Sequence, residues 1–187
     1  DLEKRYFTKK GLTAQQLAIL LEDGYQISKH VPLGGGQPEE YLLKPKGRSE
    51  SKEHFFLVKA VEEYLQQFTD TVTLAASREA DIAFTAEGKP WAIEVETGTV
   101  IKDEPKFLAK ITQLKGTYKD NFLFVVTRSE FAYKYAQYAP TFTRKTLSKR
   151  LRTIFKARPN PAQNSPNEKP VETTEKTHIY RRGKAVS

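Results

Sequence analysis

The chain has 187 residues, 38% of them hydrophobic and 29% charged, enough for one domain of ordinary size with small additions. With no cysteine, disulfides and thiolate metal sites are excluded; no apolar run is long enough to span a bilayer, and Asp1-Leu2-Glu3-Lys4-Arg5 does not open a signal peptide, so a cytoplasmic protein is expected. Methionine is absent even at position 1, as in a piece of a longer polypeptide, and 31 Lys and Arg against 23 Asp and Glu leave a net charge of +8 that favours a polyanionic partner.

Residues 12–22 carry a helical pattern, with Thr13 as N-cap, Gly24 as terminator and Leu17, Leu20 and Leu21 as the apolar stripe. Strands are expected over 25–33 and 40–43, around Gly34-Gly35-Gly36-Gln37-Pro38. The glycines lack the following Lys-Ser/Thr of a phosphate loop. A short helix and a hairpin with a flexible tip resemble part of a winged helix, and suit equally a small cap on the main domain. Lys44-Pro45-Lys46-Gly47-Arg48 reads as a linker, which delimits an N-terminal piece over 1–47.

Ser51 then caps an amphipathic helix to about Phe68, with Val58, Val61, Leu65 and Phe68 inward. His54 lies one turn before Val58 and so points inward, as a packing residue or as a ligand. A strand over 71–76 leads through Ser77-Arg78-Glu79-Ala80 to Asp81-Ile82-Ala83-Phe84-Thr85-Ala86 and Trp91-Ala92-Ile93-Glu94-Val95-Glu96, two short strands around Glu87-Gly88-Lys89-Pro90. A two- or four-residue turn centred on Gly88-Lys89 places Asp81 opposite Glu96, Ala83 opposite Glu94 and Thr85 opposite Ala92, all on one face. Ile82, Phe84, Ile93 and Val95 take the other, a core wall. Three carboxylates this close repel one another unless protons or a cation relieve them, and a hard ion such as Mg²⁺ or Mn²⁺ does so while keeping waters for chemistry; the plainer alternative is a solvated acidic face.

A helix over 104–118 follows, with Phe107, Leu108, Ile111 and Leu114 inward and Lys106, Lys110, Gln113 and Thr117 on a neighbouring face. Residues 121–127, Asn-Phe-Leu-Phe-Val-Val-Thr, are the clearest buried strand, so a crossover into a mixed sheet is expected. Helices are expected over 129–138, with a Tyr-rich face, and over 145–156. Thr141 to Arg158 holds Arg144, Lys145, Lys149, Arg150 and Arg152 with no acidic residue; these side chains are expected to contact DNA phosphates without reading bases. From 158 to 187 the composition suits a flexible basic tail ending in Tyr180-Arg181-Arg182-Gly183-Lys184.

An Asp opening one strand, a turn, and Glu-x-Lys on the next resemble the signature of the PD-(D/E)xK, or restriction-endonuclease-like, nuclease superfamily. Asp81 matches the Asp, Glu94 the first acidic position and Glu96 the usual Lys, a departure shared with some active restriction enzymes. The order of helix, strands, helix and buried strand over roughly Glu50 to Arg128 matches that core as well. The resemblance implies an α/β fold, a restriction-endonuclease-like mixed sheet flanked by helices over 48–157, with the winged-helix-like piece before it. It further implies a Mg²⁺-dependent DNA endonuclease, of the kind that mobile-element replication-relaxation or conjugative-transfer proteins join to a winged helix. Asp81, Glu94 and the carbonyl of Val95 would hold the metal, and Glu96 would coordinate it or orient the attacking water. The first helix of the family often donates an acidic residue; His54 would fill that place, or Glu62 or Glu63, while Lys110 or Gln113 would stand in for the missing Lys. Loss of catalysis would instead leave a nuclease-like module holding DNA or another subunit of a transfer machine, and a third possibility is an adaptor whose basic helix docks on an acidic protein.

Overall fold

The central hairpin turns on Glu87 and Gly88, whose φ values of 50° and 72° are both positive, as the I′ turn that suits the twist of paired strands requires. This two-residue turn sits one residue earlier than Gly88-Lys89, so the pairings slide by two. Ile82 faces Ile93, Ala83 faces Ala92 and Phe84 faces Trp91, and one step further the ladder sets Asp81 beside Glu94 rather than Glu96. A slide of two leaves every side chain on its expected face, so Asp81, Glu94 and Glu96 still share one side.

The computed structural model describes residues 4–45, 50–74, 80–99 and 102–156. Most of the linker expected at 44–48, the lead-in at 77–79 and the tail at 158–187 lie outside those residues. The main sheet has the order β4-β5-β6-β7-β8, formed by Thr73–Leu74, Ile82–Ala86, Lys89–Glu96, Phe122–Val126 and Thr141–Thr143. The β4–β5 and β5–β6 pairs are antiparallel, and β6–β7 and β7–β8 are parallel. The chain is therefore α/β with a mixed five-stranded sheet. Strand β8 was not expected from the sequence; at three residues, following Pro140, it is too short to show a period.

Helix α2 (Lys52–Leu65) and helix α5 (Arg144–Phe155) pack on the face of Ile82, Phe84, Ile93 and Val95, the expected core wall. Helix α3 (Glu104–Tyr118) and the short α4 (Ala132–Ala136) cover the other face, against Ala92, Phe122, Phe124 and Val126. The carboxylate face is thus roofed by helices instead of solvated: Glu94 and Glu96 are each 2% exposed.

The N-terminal region forms a second, antiparallel sheet of order β1-β3-β2, from Tyr6–Thr8, Glu39–Leu43 and Gln26–His30, with α1 (Ala14–Glu22) beside it. Thr13 caps α1 with a capping box, as its sequence suggested. Tyr6, Tyr41 and Leu43 join the same core cluster as α2, so this sheet is packed on the main domain. The hairpin tip is no free wing: Gly34 N–H donates to Arg144 C=O at 2.8 Å, which lays the tip on the first turn of α5. No helix of the described residues is long and apolar enough to cross a membrane.

Candidate functional site

Strand β6 ends at Glu96, and β5 begins one residue after Asp81, so the carboxylates gather at one end of the sheet, at the carboxyl end of a parallel strand. Open α/β sheets place their ligands at this end. Asp81 is held by three groups. Its Oδ2 accepts from Val95 N–H at 2.8 Å and lies 3.2 Å from His54 Nε2, while its own N–H donates to Glu94 Oε2 at 3.3 Å. Lys110 reaches in from α3 to donate to Glu94 Oε1. Tyr135, wholly buried on α4, donates its hydroxyl to Glu96 Oε2 at 3.0 Å. The remaining oxygen, Glu96 Oε1, is buried and has no hydrogen-bond partner among the described residues.

Burial and charge separate the three acids. Burial works to raise the Asp81 pKa, but the His54 hydrogen bond and charge, the Val95 amide and Lys110 together hold it below the ordinary value. Burial, reinforced by the Asp81 charge, pushes Glu94 well above the usual carboxylate range despite Lys110. Burial also pushes Glu96 up to about 7, against the hydrogen bond from Tyr135. His54 is lowered by burial and raised more by Asp81 and Glu50, so it holds its proton above the ordinary pH; Lys110, opposed by burial, is raised by Glu94 and its neighbours. Ionised Asp81 thus sits beside cationic His54 and Lys110, with Glu96 near its titration point at neutral pH.

The residues singled out from sequence divide accordingly. Asp81, Glu94, Glu96, His54 and Lys110 come together, and Val95 joins them through its N–H. Glu62 and Glu63 turn elsewhere, to Lys59 and Lys4. Gln113 and Thr117 border a separate recess of about 130 Å³ beside Ala80. Among the described residues, no group of three or more His, Cys, Asp or Glu side chains is set to hold a metal as the side chains stand. Lys110 occupies Glu94, so that carboxylate would have to release the ammonium to meet an ion; Glu96 Oε1 is a buried oxygen with no donor among the described residues. Tyr135 was not singled out, although it stands among three tyrosines at 133, 135 and 138; only the packing of α4 under the sheet selects it.

The basic segment is split along α5. Arg144 donates to Glu53, to Val31 C=O and to Thr127 C=O, an internal tie between the small sheet, α2 and β7. Lys145 is exposed beside the glycine tip. Further along, Arg150 lies over the Trp91 ring at 6.0 Å and Arg152 Nε donates to the Tyr64 hydroxyl at 2.9 Å, while Lys149 is exposed. No protein-family model, curated protein or solved structure matches this chain.

Proposed function

We propose that this chain is a Mg²⁺- or Mn²⁺-dependent DNA endonuclease with a restriction-endonuclease-like core. The observation that carries the reading is Glu96 Oε1, a buried carboxylate oxygen with no donor among the described residues, set beside Asp81 and Glu94 at the carboxyl end of a strand. Leaving such an oxygen unpaired is costly, and a cation or a water it holds would relieve the cost. Asp81, Glu94 and the carbonyl of Val95 would hold the ion, which supplies Lewis acidity and a lowered pKa for bound water.

The chain's own residues supply the rest. Glu96, near 7, can accept a proton from water at neutral pH. Lys110 brings from α3 the ammonium that the motif position lacks, since Glu96 stands there. His54, charged beside Asp81, offers an N–H to a phosphate oxygen. Tyr135 fixes the Glu96 rotamer by binding its other oxygen.

One observation favours a second reading, a nuclease-like module that holds DNA without cutting it: Asp81 and Glu94 are already matched by His54 and Lys110. Plasmid nicking separates the two. Supercoiled DNA incubated with millimolar Mg²⁺ or Mn²⁺ should be nicked by the parent protein and left intact by Asp81→Ala. The same ions should raise the melting temperature, and Asp81→Asn should abolish that rise, because an ion bound only to the folded state stabilises it by mass action. Intact plasmid and an unchanged melting curve in Mn²⁺ would leave the binding module.

A further inference from the structure

A cleft of about 510 Å³ opens between the small sheet and the carboxyl end of β7, with Lys29 and His30 on one side and Thr127, Arg128 and Lys145 on the other. We propose that this cleft, through Lys29, Arg128 and Lys145, holds the phosphate backbone of duplex DNA, and that the outer face of α5 does not. The proposal rests on the DNA reading above and names the surface that serves it.

The cleft and the carboxylates share two walls. Thr127 N–H donates to the Glu96 carbonyl at 3.0 Å, so a residue lining the cleft is bonded to the backbone of the site. In the first turn of α2, Glu53 faces the cleft and the next residue, His54, meets Asp81. The cleft therefore adjoins the site through the end of β7 and through the first turn of α2, while the carboxylates themselves lie outside its lining.

The charges are available. Lys145 forms no ion pair among the described residues. Arg128 meets Glu130 at 3.6 Å with both side chains more than 60% exposed, a contact that solvent screens almost completely. Lys29 lies across the ladder from Glu40, which is already taken by Lys9 at 2.6 Å. Arg144, by contrast, neutralises Glu53, one of the two acids that line the cleft; the other is Glu130, the exposed partner of Arg128. Next to the cleft the glycine tip packs closely under Lys145: Gly34 and Gly35 have φ of +94° and +97°, and a Cβ on Gly35 would stand 3.4 Å from Lys145 Cγ. Inside, His30 is 5% exposed and its Nε2 has no hydrogen-bond partner among the described residues.

The far half of α5 is badly placed for the same task. Arg150 lies over Trp91, and Lys156 reaches Glu87 in the hairpin turn at 2.7 Å. At about 3.4 Å of rise per residue, Trp91 stands about 17 Å from Glu96 along the strand.

The test is fluorescence anisotropy of a labelled duplex in EDTA over a range of salt, with the triple variant Lys29→Ala, Arg128→Ala, Lys145→Ala and the control Lys149→Ala, Arg152→Ala. All five side chains are exposed, and circular dichroism and melting curves verify folding. Losing three phosphate contacts should lower the slope of log affinity against log salt by about 2.7 and weaken binding about a hundredfold near 150 mM salt, whereas the control should stay close to the parent. A triple variant that binds like the parent, or a control that loses as much as the triple variant, overturns the proposal. Plasmid nicking by the parent is scored separately. Nicking without cleft dependence refutes the cleft alone, and cleft-dependent binding without nicking refutes the nuclease reading alone. A parent that binds no duplex at any salt refutes both.

Discussion

Replacing Glu96 by Gln should stabilise the protein at alkaline pH and leave it unchanged at acid pH. The amide keeps an oxygen for the Tyr135 hydroxyl and removes the charge. In the folded chain, burial pushes Glu96 from its ordinary 4.5 up to about 7. A carboxyl whose folded pKa is raised binds more protons folded than unfolded between these values, so stability falls as pH rises through the window. Below 4.5 both states are protonated and the charge costs nothing; above 7 the folded state carries the whole penalty. At about 1.4 kcal/mol per pH unit, the penalty is about 3 kcal/mol. For a chain of this length Glu96→Gln should then melt about 6–12 °C higher at pH 8. Urea denaturation of both proteins from pH 4 to pH 9 measures it. Stability curves that run parallel across the range would refute the claim that Glu96 is buried as a strained acid. Plasmid nicking by the same variant should fall sharply and lose its acid limb, since the group that stabilises the fold on neutralisation is the one proposed to take the proton.

Lys110→Met removes the cation beside Glu94, which is 2% exposed. The loss should be about 3–5 kcal/mol where Glu94 is ionised and should shrink as pH falls through its raised pKa; a loss that is the same at every pH would refute the pairing. In NMR titrations His54 should lose its proton above the ordinary 6.5, and Asp81→Asn should bring it down. The protonated imidazole stabilises the fold fully below 6.5, and that contribution fades as pH rises through the raised value; an unchanged titration in the variant would break the link to Asp81. Gly98→Ala should cost about 1–3 kcal/mol in chemical denaturation, because Gly98 has φ +84° and an added Cβ would stand 2.6 Å from the Phe131 ring; a neutral result would mean that the ring moves freely.

Strand alternation carries parity, and parity was enough to put Asp81, Glu94 and Glu96 on one face and Ile82, Phe84, Ile93 and Val95 on the other. It does not carry the turn centre, so the sequence alone paired Asp81 with Glu96; positive φ at Glu87 moved the turn by one residue and the pairing by two. Helical periodicity likewise placed α2, α3 and α5, aimed His54 inward and set Lys110 on the face next to the apolar stripe of α3, because the spacing of apolar residues sets the buried stripe of a helix whatever it meets. Which of several inward or neighbouring side chains reaches the acids is a matter of packing. Lys110 meets Glu94, whereas Glu62 and Glu63 meet lysines elsewhere, and Tyr135 is chosen among three tyrosines. The basic run was legible as charge, but a run has no direction until the helix is docked. Only the tertiary structure turned Arg144 into an internal tie and left Lys145 in the cleft beside the glycine tip, with Lys149 and Arg152 further along α5; it also raised Glu96 to about 7, because burial depends on what the rest of the chain stacks above it.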